Sequence, residues 1–472
     1  MRPFLDHIFR RPENRRAWQH AAAVLLAALL LSWPAFYNGF PLLYPDSLSY
    51  IAKGSTVARA LFLRQFSTDY GLRSVFYSLG ILPFHCYITL WPAVALQCLM
   101  LAWILWLTVR SFAPRRPVAS YLALMFFLSA LTSASWFAVF LMPDILGPVA
   151  YLAIYLAIFA RQTLSRRELA GVLLLGAWSI TAHSSHLLVA AAICLLLTVY
   201  AAVRRKTEPG ALRAVAGAWA IVALAAMAQL AVYSYLEGKL SLTGRRPPFL
   251  MARVLADGPG RWYLEQHCGQ LQWTVCHHLD AKANNPNLFL WGQGNAYMSS
   301  PLSEQRQLEA EEKPLVLAVL HTYPRQQLAR SADNFWQQLN SFGMYCCDVN
   351  PWLHANVGVA MPRAVEPFLR SREGRGDMHV IPYSHLLIAV VYSSLLVIVL
   401  SARLFLGRDA APLRGLGMIV CSAALANALV TGVIAVVDPR YQSRLIWLVP
   451  MLAAICLMHW IGRWRPSAQP AA

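Results

Sequence analysis

Long uncharged apolar runs constrain this chain more than any other feature. Residues 21–31, 118–131, 187–199, 214–230, 386–400 and 446–458 approach the roughly 20 apolar residues that span a bilayer. With 58% of its residues hydrophobic and a mean hydropathy of +0.46, the chain holds more apolar surface than a soluble core uses, and the surplus faces lipid. Arg10, Arg11, Arg15 and Arg16 ahead of the first run also suit a cleaved signal peptide. Leu31-Ser-Trp-Pro-Ala-Phe, however, puts bulky Trp33 where cleavage wants a small residue, so the run reads as a first membrane helix.

Membrane helices are predicted near 18–38, 86–109, 118–140, 145–160, 169–185, 187–203, 214–236, 383–402, 415–437 and 445–462. The fold class is therefore an all-α polytopic membrane protein of about ten transmembrane helices. It divides into helices one to seven (1–236, including an external loop at 39–83), a mainly helical and irregular external domain (237–382), and helices eight to ten with a tail (383–472). A formal charge of +18 raises nucleic acid as a partner, but in a membrane chain the placement of Lys and Arg matters more than their sum. Arg2–Arg16, Arg110–Arg116, Arg161–Arg167, Arg204–Arg213, Arg403–Arg414, and Arg463 with Arg465 fall on one side. The short loops 141–144 and 182–186 on the other side carry no Lys or Arg. The positive-inside rule makes the first side, with both termini, cytoplasmic, and the bilayer rather than nucleic acid the large partner.

Of nine cysteines, Cys86, Cys98, Cys194, Cys421 and Cys456 fall in or beside membrane helices, where they serve as small apolar residues. Cys268, Cys276, Cys346 and Cys347 lie in the external segment, an oxidising compartment on this orientation, where a Cys268–Cys276 bridge is plausible. No ligand-spaced Cys/His cluster suggests structural zinc. In the same segment, Leu328, Ala332, Phe335, Trp336, Leu339 and Phe342 form a helical stripe behind Pro324. This pattern favours an amphipathic helix packed on its own domain over one lying on the membrane surface.

The orientation collects ionisable residues at the external face. Asp46 and Arg73 fall in loop 39–83, Asp144 at the turn between helices three and four, and His183 and His186 between five and six. Asp438, Arg440 and Arg444 fall between nine and ten. Asp46-Ser-Leu-Ser-Tyr-Ile-Ala-Lys also reads as a short surface helix capped by Asp46. Asp cannot snorkel to water and is costly in hydrocarbon, so acidic residues from separate connections at one level carry the sharper signal. A carboxylate near Arg, His and Tyr at a bilayer surface suits group transfer: it would deprotonate a hydroxyl while the cations hold a lipid phosphate. Arg440 and Arg444, four residues apart, would share a helix face and grip a diphosphate, or anchor the helix at headgroups.

These residues resemble the GT-C superfamily of integral membrane glycosyltransferases, especially bacterial members related to protein mannosyltransferases and aminoarabinose transferases. Tyr44-Pro-Asp46-Ser-Leu-Ser-Tyr50 is similar to the acidic motif of the first external loop, and Tyr70-Gly-Leu-Arg73-Ser-Val-Phe-Tyr77 to its basic and aromatic segment. Met142-Pro-Asp144 resembles the acidic residue before helix four, and Arg440-Tyr441 with Pro450 the entry to a late helix. The resemblance covers helices one to four and nine to ten. It implies a polyprenyl-phosphate sugar as donor and a glycan, lipid or protein acceptor, at the external face of a bacterial cytoplasmic membrane. Asp46 would be the general base, supported by Asp144. Arg73, Arg440 and Arg444 would hold the phosphate, while Tyr50 and Tyr441 stack or hydrogen-bond at the sugar. Many members carry a second acidic residue where Ser47 and Ser49 stand here, which leaves the role of a divalent cation open. Their usual basic residue in a middle helix gives way to Thr181-Ala-His183-Ser-Ser-His186, for which hydrogen bonding, a metal pair and phosphate or sugar contact all stay open. Two other readings remain: an oligosaccharide ligase acting on a lipid-linked glycan, and a non-enzymatic lipid or glycan transporter. Transporters favour midplane sites and repeated halves, and neither is evident here.

Overall fold

The computed structural model describes residues 12–461 apart from 206–209, 293, 345, 348 and 408–409. Of the basic residues used to orient the chain, Arg2, Arg10, Arg11, Lys206, Arg408, Arg463 and Arg465 lie outside the described residues. Among those described, the chain is all-helical, and an isolated bridge between Leu42 and Phe140 stands in place of any strand. The longer helices run in order as α1 (Pro12–Leu31), α2 (Pro45–Leu63), α3 (Val75–His85), α4 (Trp91–Arg110), α5 (Pro117–Leu131), α6 (Leu146–Phe159), α7 (Arg166–Thr181), α8 (Ser184–Arg204) and α9 (Ala211–Glu237). They continue as α10 (Phe249–Asp257), α11 (Pro259–Leu271), α12 (Leu302–Thr322), α13 (Pro324–Asn340), α14 (Pro351–Ala360), α15 (Ile381–Leu400), α16 (Ala411–Leu429), α17 (Pro439–Ile446) and α18 (Leu448–Trp460).

Six helical stretches among the described residues are long and apolar enough to cross a bilayer, as a membrane protein requires: Trp91–Arg110, Ser184–Arg204, Leu212–Glu237, Ile381–Leu400, Ala411–Ile434 and Pro439–Trp460. The other expected spans are shorter for local reasons. The span expected over 118–140 stops at Leu131, where Thr132 Oγ1 turns back to Leu128 O (2.5 Å) and Ser133 Oγ donates to Ser443 O (2.6 Å). Helix α1 ends beside Ser32, whose hydroxyl bonds Leu29 O (2.8 Å), and a short helix restarts at Trp33-Pro34. α7 begins with Arg166, Arg167 and Glu168, capped by Ser165, which shortens its apolar part.

Loop 39–83 is far more helical than its turn residues suggest. α2 and α3 pack against each other, and a Cβ at Gly54 would stand 2.8 Å from Ser78 O, so only glycine permits their close crossing. The cap of α2 is also corrected. Its N-cap is Tyr44, whose N–H donates to Ser47 Oγ (2.9 Å), and Asp46 sits inside the first turn with its carboxylate turned elsewhere.

The segment 237–382 separates into two parts. Met251, Leu255, Leu264, Val275, Phe289, Tyr297, Leu308, Leu315 and Val319 form a core of their own, to which Leu72 of loop 39–83 is packed. Phe342, Met344, Leu353, Val357, Met361 and Phe368 instead join the core of the membrane bundle. Cys268 and Cys276 are bridged in the first part, and Cys346 is bridged to Cys347 in the second.

Candidate functional site

The site assembles where α2, the turn before α3, α17 and the segment 237–382 meet. Asp438 starts α17: its Oδ1 accepts from Arg440 N (2.8 Å), which fixes the first turn of the helix. Gln338 of α13 holds the same residue by its backbone, donating from Nε2 to Asp438 O (2.9 Å) and accepting at Oε1 from Asp438 N (2.9 Å). From this anchored turn Arg440 extends over the ring of Tyr44, its guanidinium carbon 4.2 Å from the centroid, and lies 5.1 Å from the ring of Tyr441.

Asp46 of α2 points toward the same place. Arg73 Nη2 donates to its Oδ1, and Arg440 Nη1 lies 3.9 Å from its Oδ2. Arg73 is in turn set against Trp291, 5.1 Å from the ring centroid. A cavity of about 420 Å³ opens here, lined by Asp46, Ser49, Arg73, Arg440 and Tyr441 on one wall and by Phe249, Asn287, Trp291 and Trp352 of the segment 237–382 on the other. Asp144 lies beside a smaller pocket of about 70 Å³ that it shares with Tyr44, Asp438 and Arg440. Asp46, Arg73, Arg440, Tyr441 and Asp144 are thus brought together around Tyr44 and Arg440, which line both spaces.

The remaining expected residues lie elsewhere. Arg444, expected at the phosphate, is only 1% exposed and lines neither space. One helical turn beyond Arg440, it is buried in the bundle, donating to Asn427 Oδ1 (2.6 Å) and Ser185 Oγ (3.2 Å) and pairing with Asp144 Oδ1 (3.4 Å). Tyr50 is buried edge-on against Tyr77, with centroids 4.8 Å apart. His183 accepts from Ser185 N (3.2 Å), His186 is fully buried with Nδ1 2.9 Å from Ser179 O, and their rings are 5.3 Å apart. None of these three lines the cavity. Among the described residues, no group of three or more His, Cys, Asp or Glu side chains gathers as metal ligands would.

Sequence reasoning passed over Tyr44, although it opens the quoted acidic motif, and over Asn427 and Ser185, which hold Arg444. Trp291, Trp352, Phe249 and Asn287 carried no signal, because their part of the chain has no recognisable motif and meets Asp46 only through the fold.

Two buried polar features stand out chemically. Arg440 Nε and Nη1 are buried without a hydrogen-bond partner, as is Asp144 Oδ2. Unmade hydrogen bonds of a buried guanidinium are costly, and an anion in the cavity would satisfy them.

Outside the membrane spans, Glu373 is a buried carboxyl group seated against the chain just before α2. It is 3% exposed, its Oε2 accepts from Leu43 N (3.1 Å), and its own N–H donates to Asn38 Oδ1 (2.8 Å). Burial pushes its carboxyl up to about 8, against the opposing pull of the Leu43 N–H. The folded chain thus keeps a proton that the unfolded chain releases above its ordinary value of 4.5, so stability is lost as pH rises from there through about 8. Thermal unfolding in detergent is expected to show the midpoint falling across that window, and Glu373→Gln is expected to flatten the fall. An unchanged slope in the variant would place the titration on another group.

Comparison with family models, curated proteins and solved structures finds no match to this chain. The fold and the site geometry therefore define its class: an all-helical membrane protein with a charged, aromatic-lined cavity.

Proposed function

We propose that this protein is a GT-C-type glycosyltransferase that moves a sugar from a polyprenyl-phosphate donor to an acceptor hydroxyl at the external face of a bacterial cytoplasmic membrane. In this reading the chain crosses the bilayer about ten times, with both termini cytoplasmic: the shorter helices Arg16–Leu31, Pro117–Leu131, Pro143–Phe159 and Arg166–Thr181 complete the set, while Val75–His85 belongs to the external loop. The observation that carries the proposal is that Arg440 Nε and Nη1 are buried without a hydrogen-bond partner, beside the carboxylate of Asp46 on one cavity wall.

Each group then has a task. Asp46, oriented by Arg73, takes the proton of the acceptor hydroxyl as its oxygen bonds to the anomeric carbon. The bond from that carbon to the donor phosphate breaks, its electron pair leaves on the phosphate oxygen, and Arg440 meets the growing charge. Tyr44 and Tyr441 flank Arg440 and hold its plane. Asp144 supports the site through Arg444, and Trp291 and Trp352 offer ring faces to a sugar. A second cavity, of about 840 Å³, is almost wholly apolar and lies among α15, α16 and α18, where a polyprenyl tail would fit. Its lining includes Phe342, next in sequence to Gly343 and Met344 of the smaller pocket.

Polyprenyl lipids profiled in cells with and without the chain test the reading. A single-sugar polyprenyl phosphate is expected to accumulate on deletion. Accumulation of a lipid bearing a preassembled glycan would shift the assignment to a ligase, and an unchanged lipid profile would remove it.

A further inference from the structure

Helix α13 reverses the arrangement that its sequence stripe suggests. Leu328 is 72% exposed and Trp336 65%, while Gln327, Asn334 and Gln338 are buried. The buried polar face is specific: Gln327 Nε2 donates to Asp257 Oδ2 (2.7 Å), Asn334 Nδ2 donates to Asp257 Oδ1 (2.9 Å), and Gln338 clamps Asp438. The reading in which the apolar stripe packs on its own domain is therefore corrected, because hydrogen bonds and not apolar contacts seat this helix.

At about 100° per residue, the helix divides into three sectors whose centres lie roughly 90–160° apart. Gln327, Asn334 and Gln338 face the protein. Leu328, Ala332, Phe335 and Leu339 form an apolar sector that is exposed or half-buried. Gln326, Arg330, Asp333 and Gln337 form a third sector, exposed and polar except for half-exposed flanks. A helix surrounded by water gains nothing from presenting Leu328 and Trp336, and one sunk in hydrocarbon would not carry Arg330 and Asp333. Two outward sectors of opposite character fit one setting, the boundary between acyl chains and water.

The position of α13 agrees. A Cβ at Gly432, in the π turn that ends the span Ala411–Ile434, would lie 2.7 Å from Asn334 O, so the helix rests directly on the end of that span. Its last residues, Leu339 and Asn340, together with Phe342, continue into the lining of the apolar groove among the spans. The apolar sector is thus continuous with surface that faces lipid. Arg325, exposed near the start of the helix and on the side of the apolar sector, has a stem long enough to carry its charge up to headgroup phosphates.

We propose that α13 is an interfacial helix, bedded in the leaflet on the external side with Leu328, Ala332, Phe335 and Leu339 among the acyl chains. Through Gln338 it fixes the depth of Asp438 and Arg440, so the charged cavity opens at headgroup level. This inference stands on the membrane spans and not on the transferase reading.

The test places the photoreactive residue p-benzoylphenylalanine at 328 or 332, and for comparison at 330 or 337, in the full-length protein reconstituted in nanodiscs of phosphatidylethanolamine and phosphatidylglycerol. Mass spectrometry after illumination is expected to find lipid adducts several-fold more abundant at 328 and 332 than at 330 and 337. Equal, low adduct levels on both faces would overturn the proposal, because the apolar sector would then face water. Crosslinks from 328 or 332 to a second copy of the chain would overturn it as well, since the face would then be a self-association surface. All four positions are exposed, so monodispersity on size exclusion is expected to match the wild type.

Discussion

Replacing Asp46 by Asn is expected to slow sugar transfer by about 10²–10⁴-fold, the range that a positioned general base contributes. Asn keeps the shape of the side chain and removes its ability to take a proton. The contact with Arg73 becomes a neutral–cation hydrogen bond, and both partners are partly solvent-exposed, so the fold is expected to tolerate the change. The kinetic form of the loss is the sharper prediction. Arg440 lies 3.9 Å from Asp46, so neutralising that carboxylate leaves Arg440 freer for the donor phosphate. KM for the donor is expected to hold steady or fall while kcat collapses, the pattern of an interaction made only in the transition state. Transfer at the wild-type rate by Asp46→Asn, measured with purified protein and a defined polyprenyl-phosphate sugar, would remove the base assignment.

The parts of the fold that depend on apolar content alone were legible in the chain. α4, α8, α9 and α15 follow from uninterrupted hydrophobicity, which lipid demands whatever the neighbouring helices are. Breaks were not legible, because they depend on tertiary partners: Ser133 ends a helix by bonding to Ser443, far along the chain. α3 was not legible, since it falls within the loop expected over 39–83, yet the helix accommodates Gly80 and Pro83. At the site, a shared level was readable from the placement of the charged residues, and four of the nominated residues line one cavity: Asp46, Arg73, Arg440 and Tyr441. Depth was not readable. Four residues make about one turn, roughly 6 Å along the axis, and that step carries Arg444 from the cavity level into the bundle. The inverted face of α13 was equally invisible, since a sequence stripe shows that a helix has two characters but not which one meets protein.

The buried pair beneath the cavity gives the largest expected effect on stability. Arg444 and Asp144 are each only 1% exposed, and their charged groups meet at 3.4 Å. Asp144→Ala would leave a guanidinium that cannot release its proton, hydrogen-bonded to Asn427 and Ser185 and set over the Tyr441 ring, with Nε already lacking a partner. A loss of about 3–5 kcal/mol is expected, read as a lowered unfolding midpoint in detergent and as loss of the monodisperse species. Arg444→Met should cost less. The carboxyl left behind can take up a proton and become neutral, an escape the arginine lacks. Combining Asp144→Leu with Arg444→Met removes both charges at similar volume, so the double variant is expected to unfold at a higher temperature than Asp144→Ala. Equal destabilisation by Asp144→Ala and Arg444→Met would count against an uncompensated buried cation as the cause. Wild-type stability in Asp144→Ala would mean that the Arg444 charge reaches water by another route, and that Asp144 is free to act in the small pocket it lines with Arg440.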